Sequence, residues 1–332
     1  LKVSFTRPLG CNDESHAQAI ESLPPVVGLT IGTFDGLHKG HNVLVEALHK
    51  ELDTMSKENG GASTYAALLS FYPHPRTVIG KNRNSETEPV DDYRRLLTPI
   101  RVRASRAKAM GVDELRLLHF TPSFSKVSAR EFVKKMMVEP FKPKVVVVGF
   151  DWAFGKNREG TTTYLKELGD EFGFKTVVVE EVASEGKKIG ARQIRAFLRE
   201  GNIREANTLL GYRFSIIGKV VKGDGRGSLI GIPTANLRVV RQFLPASGVY
   251  KTNVIIDGVK IPSITNVGVR PTFKPHDIEQ IVETHLLDFN KNIYNKWVHV
   301  EFVDWVREER KFDSVNELVQ QIHADILHVR SN

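Results

Sequence analysis

Val26-Val27-Gly28-Leu29-Thr30-Ile31 runs directly into Gly32-Thr33-Phe34-Asp35-Gly36-Leu37-His38-Lys39-Gly40-His41. The first six residues are apolar enough to read as a buried strand, and Asn42 to His49, with Val45, Leu48 and Leu52 at helical spacing, reads as a helix. A glycine-rich turn therefore carries two imidazoles, three residues apart, to the start of a helix, where free backbone N–H groups and the helix dipole favour an anion. His38 and His41 are placed to donate hydrogen bonds to a phosphoryl group in its transition state. Gly36 and Gly40 let the backbone approach without a Cβ in the way. The turn reads as a nucleotide phosphate site. Two other readings stand beside it: a plain tight turn with surface histidines, and a metal site built from His38, His41 and Asp35, for which no third His or Cys stands at a familiar zinc spacing.

The elements that follow repeat the same alternation. Tyr65 to Phe71 is a second strand ending in Tyr72-Pro73-His74-Pro75, whose prolines set an extended exit at His74. Lys81 to Pro89 is polar and reads as a loop. Thr98-Pro99 gives an N-cap and a proline for a helix that should stop at Gly111. Glu114 to Phe120 is a third strand, and Ser128-Ala129-Arg130-Glu131 is a capping box that opens another helix. Lys144 to Phe150 holds four consecutive valines, the pattern of a strand buried on both faces. It runs into the segment Gly149 to Gly160, which contains Asp151, Trp152 and Phe154. A helix from Tyr164 to Phe172 and a strand from Thr176 to Glu180 follow. Strands alternating with helices imply a doubly wound α/β domain with its ligand beyond the carboxyl ends of the strands. The His38/His41 turn, His74 and Asp151 all fall at such ends. Asp151 reads as a site residue, whereas Trp152 and Phe154 suit either a core or a stacked ring.

The whole chain sets broader bounds. At 332 residues and 41% hydrophobic content it has room for two domains, each with its own core. No apolar stretch approaches a membrane span, the opening Leu1 to Phe5 lacks the core of a signal peptide, and the absence of Met at the start leaves a removed segment open. A single cysteine, Cys11, excludes an internal disulfide and fits a reducing compartment, hence the cytoplasm. With 47 basic and 39 acidic residues the net charge is +8, which suits nucleic acid or a nucleotide polyphosphate equally. The densest basic run, Arg94, Arg95, Arg101, Arg103, Arg106 and Lys108, reads as a solvated helix face, and no nucleic-acid motif accompanies it.

The periodicity changes after Gly211. Ile194 to Leu210 is helical, broken at Gly201-Asn202. From Phe214 onward short alternating strands take over: Phe214 to Val221, Thr252 to Ile256, Lys260 to Asn266, Val282 to Asp288 and Trp297 to Val303, the signature of a small antiparallel barrel. Ser314-Val315-Asn316-Glu317 caps a final helix with Leu318, Ile322 and Ile326 on one face. The expected division is 1–211 and 212–332. Inside the barrel region, Gly223, Gly225 and Gly227 form a loop that lacks the Gly-Lys-Ser/Thr ending of a Walker motif. It is followed by Gly231-Ile232-Pro233-Thr234-Ala235-Asn236. Thr234 and Asn236, two apart on a strand, face the same way and offer hard oxygen ligands for a Mg²⁺ that keeps phosphate oxygens as partners.

These segments resemble a known family. Gly32 to His41, Phe71 to Pro75 and Val148 to Gly160 are similar to the nucleotidyl-transfer half of the prokaryotic-type bifunctional riboflavin kinase/FMN adenylyltransferase, and the second half resembles its kinase. The resemblance runs from about Val26 to the end in the same order of segments. It implies an ATP-dependent, Mg²⁺-requiring enzyme that converts riboflavin to FMN and FMN to FAD, with flavins and ATP as its partners; hydropathy argues against a membrane, and the lack of a nucleic-acid motif against nucleic acid. His38 and His41 then stabilise the α-phosphate of ATP, with Gly32, Thr33, Phe34, Asp35, Gly40, Asp151 and Arg195 contacting the nucleotide and His74 lining the site. In the kinase, Gly223, Gly225 and Gly227 meet phosphates and Thr234 and Asn236 serve the metal. Glu283 takes the proton of the ribityl 5′-hydroxyl, and Asn266 and Arg270 lie near the flavin. One segment departs from the family, whose Ile-Ser-Ser-Thr-x-Ile-Arg is here Ile189-Gly190-Ala191-Arg192-Gln193-Ile194-Arg195. Two alternatives follow, a kinase with a weak or inactive adenylyltransferase half and a non-catalytic nucleic-acid-binding protein. Oligomeric state is left open.

Overall fold

The computed structural model describes residues 1–6, 23–79, 96–181, 183–184, 187–223, 225–271 and 278–331. The chain forms two compact units, Leu1–Leu96 with Ile100–Ile189, and Leu97–Pro99 with Gly190–Asn332. The stretch Lys81 to Pro89, expected as a loop, lies outside the described residues.

The first unit is built on six parallel strands, β1 (Lys2–Phe5), β2 (Val26–Ile31), β3 (Thr64–Tyr72), β4 (Glu114–His119), β5 (Val145–Gly149) and β6 (Lys175–Val179), in the order β1-β4-β3-β2-β5-β6. The chain moves one way from β2 through β3 to β4, then returns to place β5 on the other side of β2. The order therefore reverses between β2 and β5, and folds of this kind take their ligand beyond the carboxyl ends of the strands at such a reversal. The alternation of side chains fills both faces. Val27, Leu29, Ile31, Val146 and Val148 pack in one layer with Phe132, Phe154 and Leu165. Val26, Val145 and Val147 pack in the other against Leu48 and Leu52 of helix α1 (Lys39–Glu58). Gly28 makes that packing close, since a Cβ there would sit 2.6 Å from Leu48 Cδ1. Helix α2 (Ile100–Ala109) covers the same side further along, and helix α3 (Thr162–Phe172), N-capped by Thr161, covers the opposite one.

Strand β1 extends the expected five-stranded sheet. It pairs in parallel with β4, Lys2 to Phe5 against Glu114 to Leu117. Its anchor is Glu114, a fully buried carboxylate held by Ser4 Oγ, by Tyr65 Oη at 2.9 Å and by Arg116 Nε at 2.8 Å. A two-residue ribbon, β7 (Ala183–Ser184) with β8 (Lys187–Lys188), closes the unit.

The second unit is a closed six-stranded antiparallel barrel, β9 (Ser215–Val221), β10 (Ala235–Val239), β11 (Gly248–Ile256), β12 (Val259–Pro271), β13 (Ile278–Leu286) and β14 (Trp297–Arg307), in the order β10-β13-β12-β11-β14-β9. Tyr250 and Phe302 meet edge to face at 5.0 Å in its core. The interior also holds four fully buried hydroxyls in a ladder: Thr252 to Ser263 at 2.8 Å, Thr252 to Thr265 at 2.7 Å, and Thr265 to Thr284 at 2.9 Å. Each hydroxyl finds a partner, so burial leaves none unsatisfied.

Helices α4 (Ala191–Arg199) and α5 (Ile203–Leu210) pack with the barrel, although the reading of periodicity set them before the boundary at Gly211. Asn207 explains why: its Nδ2 donates to Phe302 O at 3.0 Å and its Oδ1 accepts from Phe214 N at 2.6 Å, so α5 is tied to β14 and to the entry of β9. Helix α6 (Val315–Ser331) is capped by Ser314 and turns Leu318, Ile322, Ile326 and Val329 inward. Asp325 lies on the same face, and a bidentate bond from Arg307, at 2.8 to 3.1 Å, compensates its burial.

Candidate active sites

In the first unit the stretch Gly32 to His41 folds by burying its apolar members. Phe34 and Leu37 are fully buried, in the layer formed by Val45, Leu68, Ala107 and Leu117. To reach that layer both adopt positive φ, 47° and 38°, with Gly36 at 93° between them. A non-glycine residue in this region costs on the order of 1–2 kcal/mol, which the burial of a Phe and a Leu side chain offsets. The ring of Phe34 is thus part of the core, leaving only its backbone for a nucleotide. Ser70 Oγ donates to Thr33 O at 2.8 Å, fixing the start of the turn on β3.

The two histidines emerge together at the other end. Their rings stack with centroids 3.7 Å apart and 19° between planes, and Phe34 meets His41 edge-on at 5.0 Å. His38 is the N-cap of α1 but supplies no side-chain cap, and no acidic residue occupies the first turn. The helix start is therefore not already neutralised by a carboxylate. Gly40 makes room for this pair: a Cβ there would lie 3.2 Å from His38 Nδ1. Burial pushes the His38 imidazole down to about 4, against an opposing pull from Asp35. Burial, then the neighbouring His38, then the Arg103 charge hold His41 well below the ordinary histidine range. Both rings are neutral at physiological pH, and the Nδ1 of each is buried without a hydrogen-bond partner among the described residues. A neutral imidazole still offers one N–H donor. Among the described residues no group of three or more His, Cys, Asp or Glu could hold a metal ion, which removes Asp35, His38 and His41 as a metal centre.

The sheet brings the other expected residues to the same edge. Gly32 N donates to Leu69 O at 3.1 Å, so the turn starts beside the end of β3, which leads on to His74. His74 is buried, and its Nδ1 accepts from Arg76 N at 3.2 Å. Asp151 is exposed just after β5, where Trp152 N donates to Gly149 O at 3.1 Å to close a turn. Phe154 is core, and Trp152 stacks on it at 4.3 Å. Sequence reading missed Arg103. Assigned with its neighbours to a solvated face, it is 1% exposed, because Ile100, Arg103, Ala104 and Ala107 share the inward stripe of α2.

In the second unit strand register gathers the residues. Asn236 pairs with Glu283 across β10 and β13, and Asn266 pairs with Glu283 across β12 and β13. Paired residues share a face, and the flanking Ala235, Leu237, Val282, Thr284, Thr265 and Val267 are buried, so the three polar side chains form a row on the outer face. His285, two residues on, lies 2.8 Å from Pro233 O through its Nδ1 and holds the approach to Thr234 against β13. The glycine loop presses on the same strand. A Cβ at Gly223 would lie 2.1 Å from Asn236 Nδ2, and one at Gly227 would lie 2.4 Å from Ile232 O and 3.3 Å from Thr234 Oγ1. Asn266 Nδ2 donates to Glu309 at 3.3 Å, while its Oδ1 is buried without a partner among the described residues. Thr234 and Asn236 supply neutral oxygens beneath a glycine cradle, a donor set that fits a Mg²⁺ shared with phosphates. Gly225 has a φ of 74°. Arg270 sits at the end of β12, opposite Glu279. Arg195, on α4, belongs to this unit, where it is buried with its guanidinium 5.7 Å from the Phe243 ring.

Comparison with known proteins agrees with both halves. The FAD synthetase family matches residues 21–193 and the riboflavin kinase family residues 210–332. The bifunctional riboflavin kinase/FMN adenylyltransferase of Bacillus subtilis is 32% identical over 97% of this chain and 95% of its own. The Escherichia coli protein of the same name is 34% identical over 91% of each. A crystal structure described as a macrolide-efflux protein from Streptococcus pneumoniae superimposes with a TM-score of 0.80 at 33% identity, covering 92% of this chain and 94% of that one. Its efflux description stays with that protein. No helix among the described residues is long and apolar enough to cross a membrane. Near-complete coverage of the relatives and two matching domain families lead to one assignment: this chain belongs to the bifunctional riboflavin kinase/FMN adenylyltransferase family.

Proposed function

We propose that the barrel site phosphorylates riboflavin and that the histidine turn of the first unit adenylylates the product. The chain is an ATP-dependent enzyme of flavin-nucleotide synthesis, taking riboflavin to FMN and FMN to FAD with release of pyrophosphate. The observation that carries the residue assignment is the row Asn236, Glu283, Asn266 lying beside a glycine loop that touches Asn236. In-line phosphoryl transfer needs an oriented nucleophile and neutralised phosphate charge, with no covalent intermediate. Glu283 receives the proton of the ribityl 5′-hydroxyl as that oxygen attacks the γ-phosphate of ATP, the bond to the β,γ-bridging oxygen breaks and ADP leaves. Thr234 and Asn236 would hold a Mg²⁺, which would supply neutralisation of the phosphate charge. Backbone N–H groups around Gly223, Gly225 and Gly227 cradle the phosphates, and Asn266 and Arg270 are assigned to the flavin on the family resemblance.

In the first unit the phosphate of FMN attacks the α-phosphate of ATP, and charge accumulates on its non-bridging oxygens. His38 and His41, neutral and stacked at the start of α1, donate N–H groups toward that charge. Gly32, Thr33, Asp35, Gly40 and the backbone of Phe34 shape the turn around the triphosphate, Asp151 contacts the nucleotide, and His74 lines the crevice. Arg195 is assigned to the nucleotide on the family resemblance. By function we divide the chain at 211 and 212, keeping Arg195 with the first reaction even though α4 packs with the second unit. The bifunctional relatives support retained adenylyl transfer despite Gly190-Ala191-Arg192, because a helix start still offers backbone N–H groups to an anion. A single cysteine fits work in the cytoplasm.

The test is to incubate the protein with riboflavin, ATP and Mg²⁺, and separately with FMN, ATP and Mg²⁺, and to separate the flavins formed. FMN from the first mixture and FAD from the second are expected. No FMN in the first would overturn the kinase assignment, and no FAD in the second would leave a kinase alone.

A further inference from the structure

Arg103 is assigned no contact with a substrate, yet it is among the largest fully buried side chains of the described residues. A buried guanidinium is desolvated at considerable cost, and folds retain one where its hydrogen bonds hold something in place. Its Nη1 donates to Ser70 Oγ at 2.8 Å and to Thr33 O at 3.3 Å, and Ser70 Oγ itself donates to Thr33 O at 2.8 Å. Two donors, from α2 and β3, thus converge on one carbonyl at the start of the histidine turn. Between that carbonyl and His38 the chain passes through positive φ at Phe34, Gly36 and Leu37. A strained turn of this kind keeps its shape only while its ends are over-determined.

We propose that Arg103 is a positioning residue of the adenylyl-transfer site: from beneath the turn it clamps the Thr33 carbonyl and so fixes His38 and His41 against the α-phosphate. Its charge acts in the same direction. Burial first, then His38 and the Arg103 charge, keep the His41 ring neutral, while Asp35 pulls His38 the other way. The groups acting on the pair are therefore Asp35 within the turn and Arg103 from α2. A clamp that carries a positive charge places a donor geometry and an attractive field for phosphate in one residue.

The inference rests on the reading of the turn as the adenylyl-transfer site, and the experiment separates the two. FAD formation from FMN is measured for Arg103→Met, Arg103→Lys, Ser70→Ala and His38→Ala, together with riboflavin phosphorylation, thermal melting and the imidazole NMR titration of His41. In Arg103→Met, kcat for FAD formation should fall about 100-fold, consistent with misplaced donors at a phosphoryl centre, while FMN formation is unchanged. Arg103→Lys keeps the charge and should recover about tenfold of that loss. His41 should stay below the ordinary histidine range in every variant, because burial is the leading cause, while its ring resonances should move in Arg103→Met as the turn shifts and stay close to the parent in Arg103→Lys. Should Arg103→Met fail to fold, Ser70→Ala carries the test with a loss of about threefold to tenfold. FAD formation lost in His38→Ala but unaffected in Arg103→Met and Ser70→Ala would overturn the clamp alone. FAD formation intact in His38→Ala would overturn the reading of the turn, and the clamp with it.

Discussion

Gly223→Ala separates the catalytic role of the glycine loop from its structural one. A Cβ at 223 would sit 2.1 Å from Asn236 Nδ2, 2.5 Å from Cγ and 2.9 Å from Oδ1. Carbon contacts settle near 3.5 Å, so the carboxamide must retreat by roughly 1 Å or more. The backbone of Asn236 cannot follow, because its register is fixed to Val221 on one side and Glu283 on the other. The side chain must rotate instead and withdraw its oxygen from the cation. Gly223 itself does not occupy the positive-φ region, so alanine meets no backbone penalty there and the barrel should melt close to the parent temperature. Loss of one oriented polar contact costs about 1–3 kcal/mol, which corresponds to roughly a 5- to 150-fold fall in kcat/KM for FMN formation. Gly225→Ala is the control, since it strains a φ of 74° but its Cβ meets nothing within 4 Å. Steady-state FMN formation from riboflavin, ATP and Mg²⁺ is the assay, with FAD formation from FMN measured on the same preparation. Kinase kcat/KM within about twofold of the parent would refute the placement of Asn236 in the site.

Glu283→Gln should abolish FMN formation and leave FAD formation from FMN intact, because the amide keeps the shape but cannot accept the ribityl proton; undiminished kinase turnover would remove Glu283 as the base. Thr265→Val leaves Thr252 and Thr284 short of a buried partner, a cost of about 1–3 kcal/mol that should lower the melting temperature of the barrel by roughly 5–10 °C. Calorimetry showing no shift would mean that the ladder is energetically neutral. His38 titrates near 4 in the folded protein and near 6.5 when unfolded, so the unfolded chain binds the proton first as pH falls. The first unit should therefore be unaffected by this group above pH 6.5 and lose about 2 kcal/mol by pH 5. His38→Gln should flatten that part of the melting profile, and an unchanged slope would place the acid sensitivity elsewhere.

How much of this was legible in the sequence depended on whether a residue's neighbours were local. The strand before Gly32, the helix after His41 and the four valines from Val145 are local patterns, and they appear where periodicity placed them. Strand β1 was not legible, because Lys2-Val3-Ser4-Phe5 alternates polar and apolar for only four residues, too short a run to announce a strand, and is recruited by Ser4 meeting a glutamate 110 positions away. Phe34 was read as part of the nucleotide site because its motif neighbours are, yet positive φ on both sides of Asp35 sends its ring into the core. For Arg103 the needed signal was present: Ile100, Arg103, Ala104 and Ala107 fall at i, i+3, i+4 and i+7. Counting basic residues along the chain hid that phase, and only the helical period reveals that Arg103 faces inward while Arg101 and Lys108 are exposed.

The same distinction explains why the two sites were not equally readable. The histidine turn is one contiguous segment, so its chemistry can be inferred from ten residues. The row proposed for the kinase reaction crosses three strands, and nothing in the separation of Asn236, Asn266 and Glu283 along the chain says that they are neighbours. What sets them side by side is register, which a single slip would reverse, sending the polar row inward and the hydroxyl ladder outward. Thr265 and Thr284 pair directly beneath Asn266 and Glu283 in that register. The buried hydroxyls therefore do more than fill the barrel: a slip would leave their bonds unmade, so the ladder favours the register that aligns Glu283 with Asn236 and Asn266.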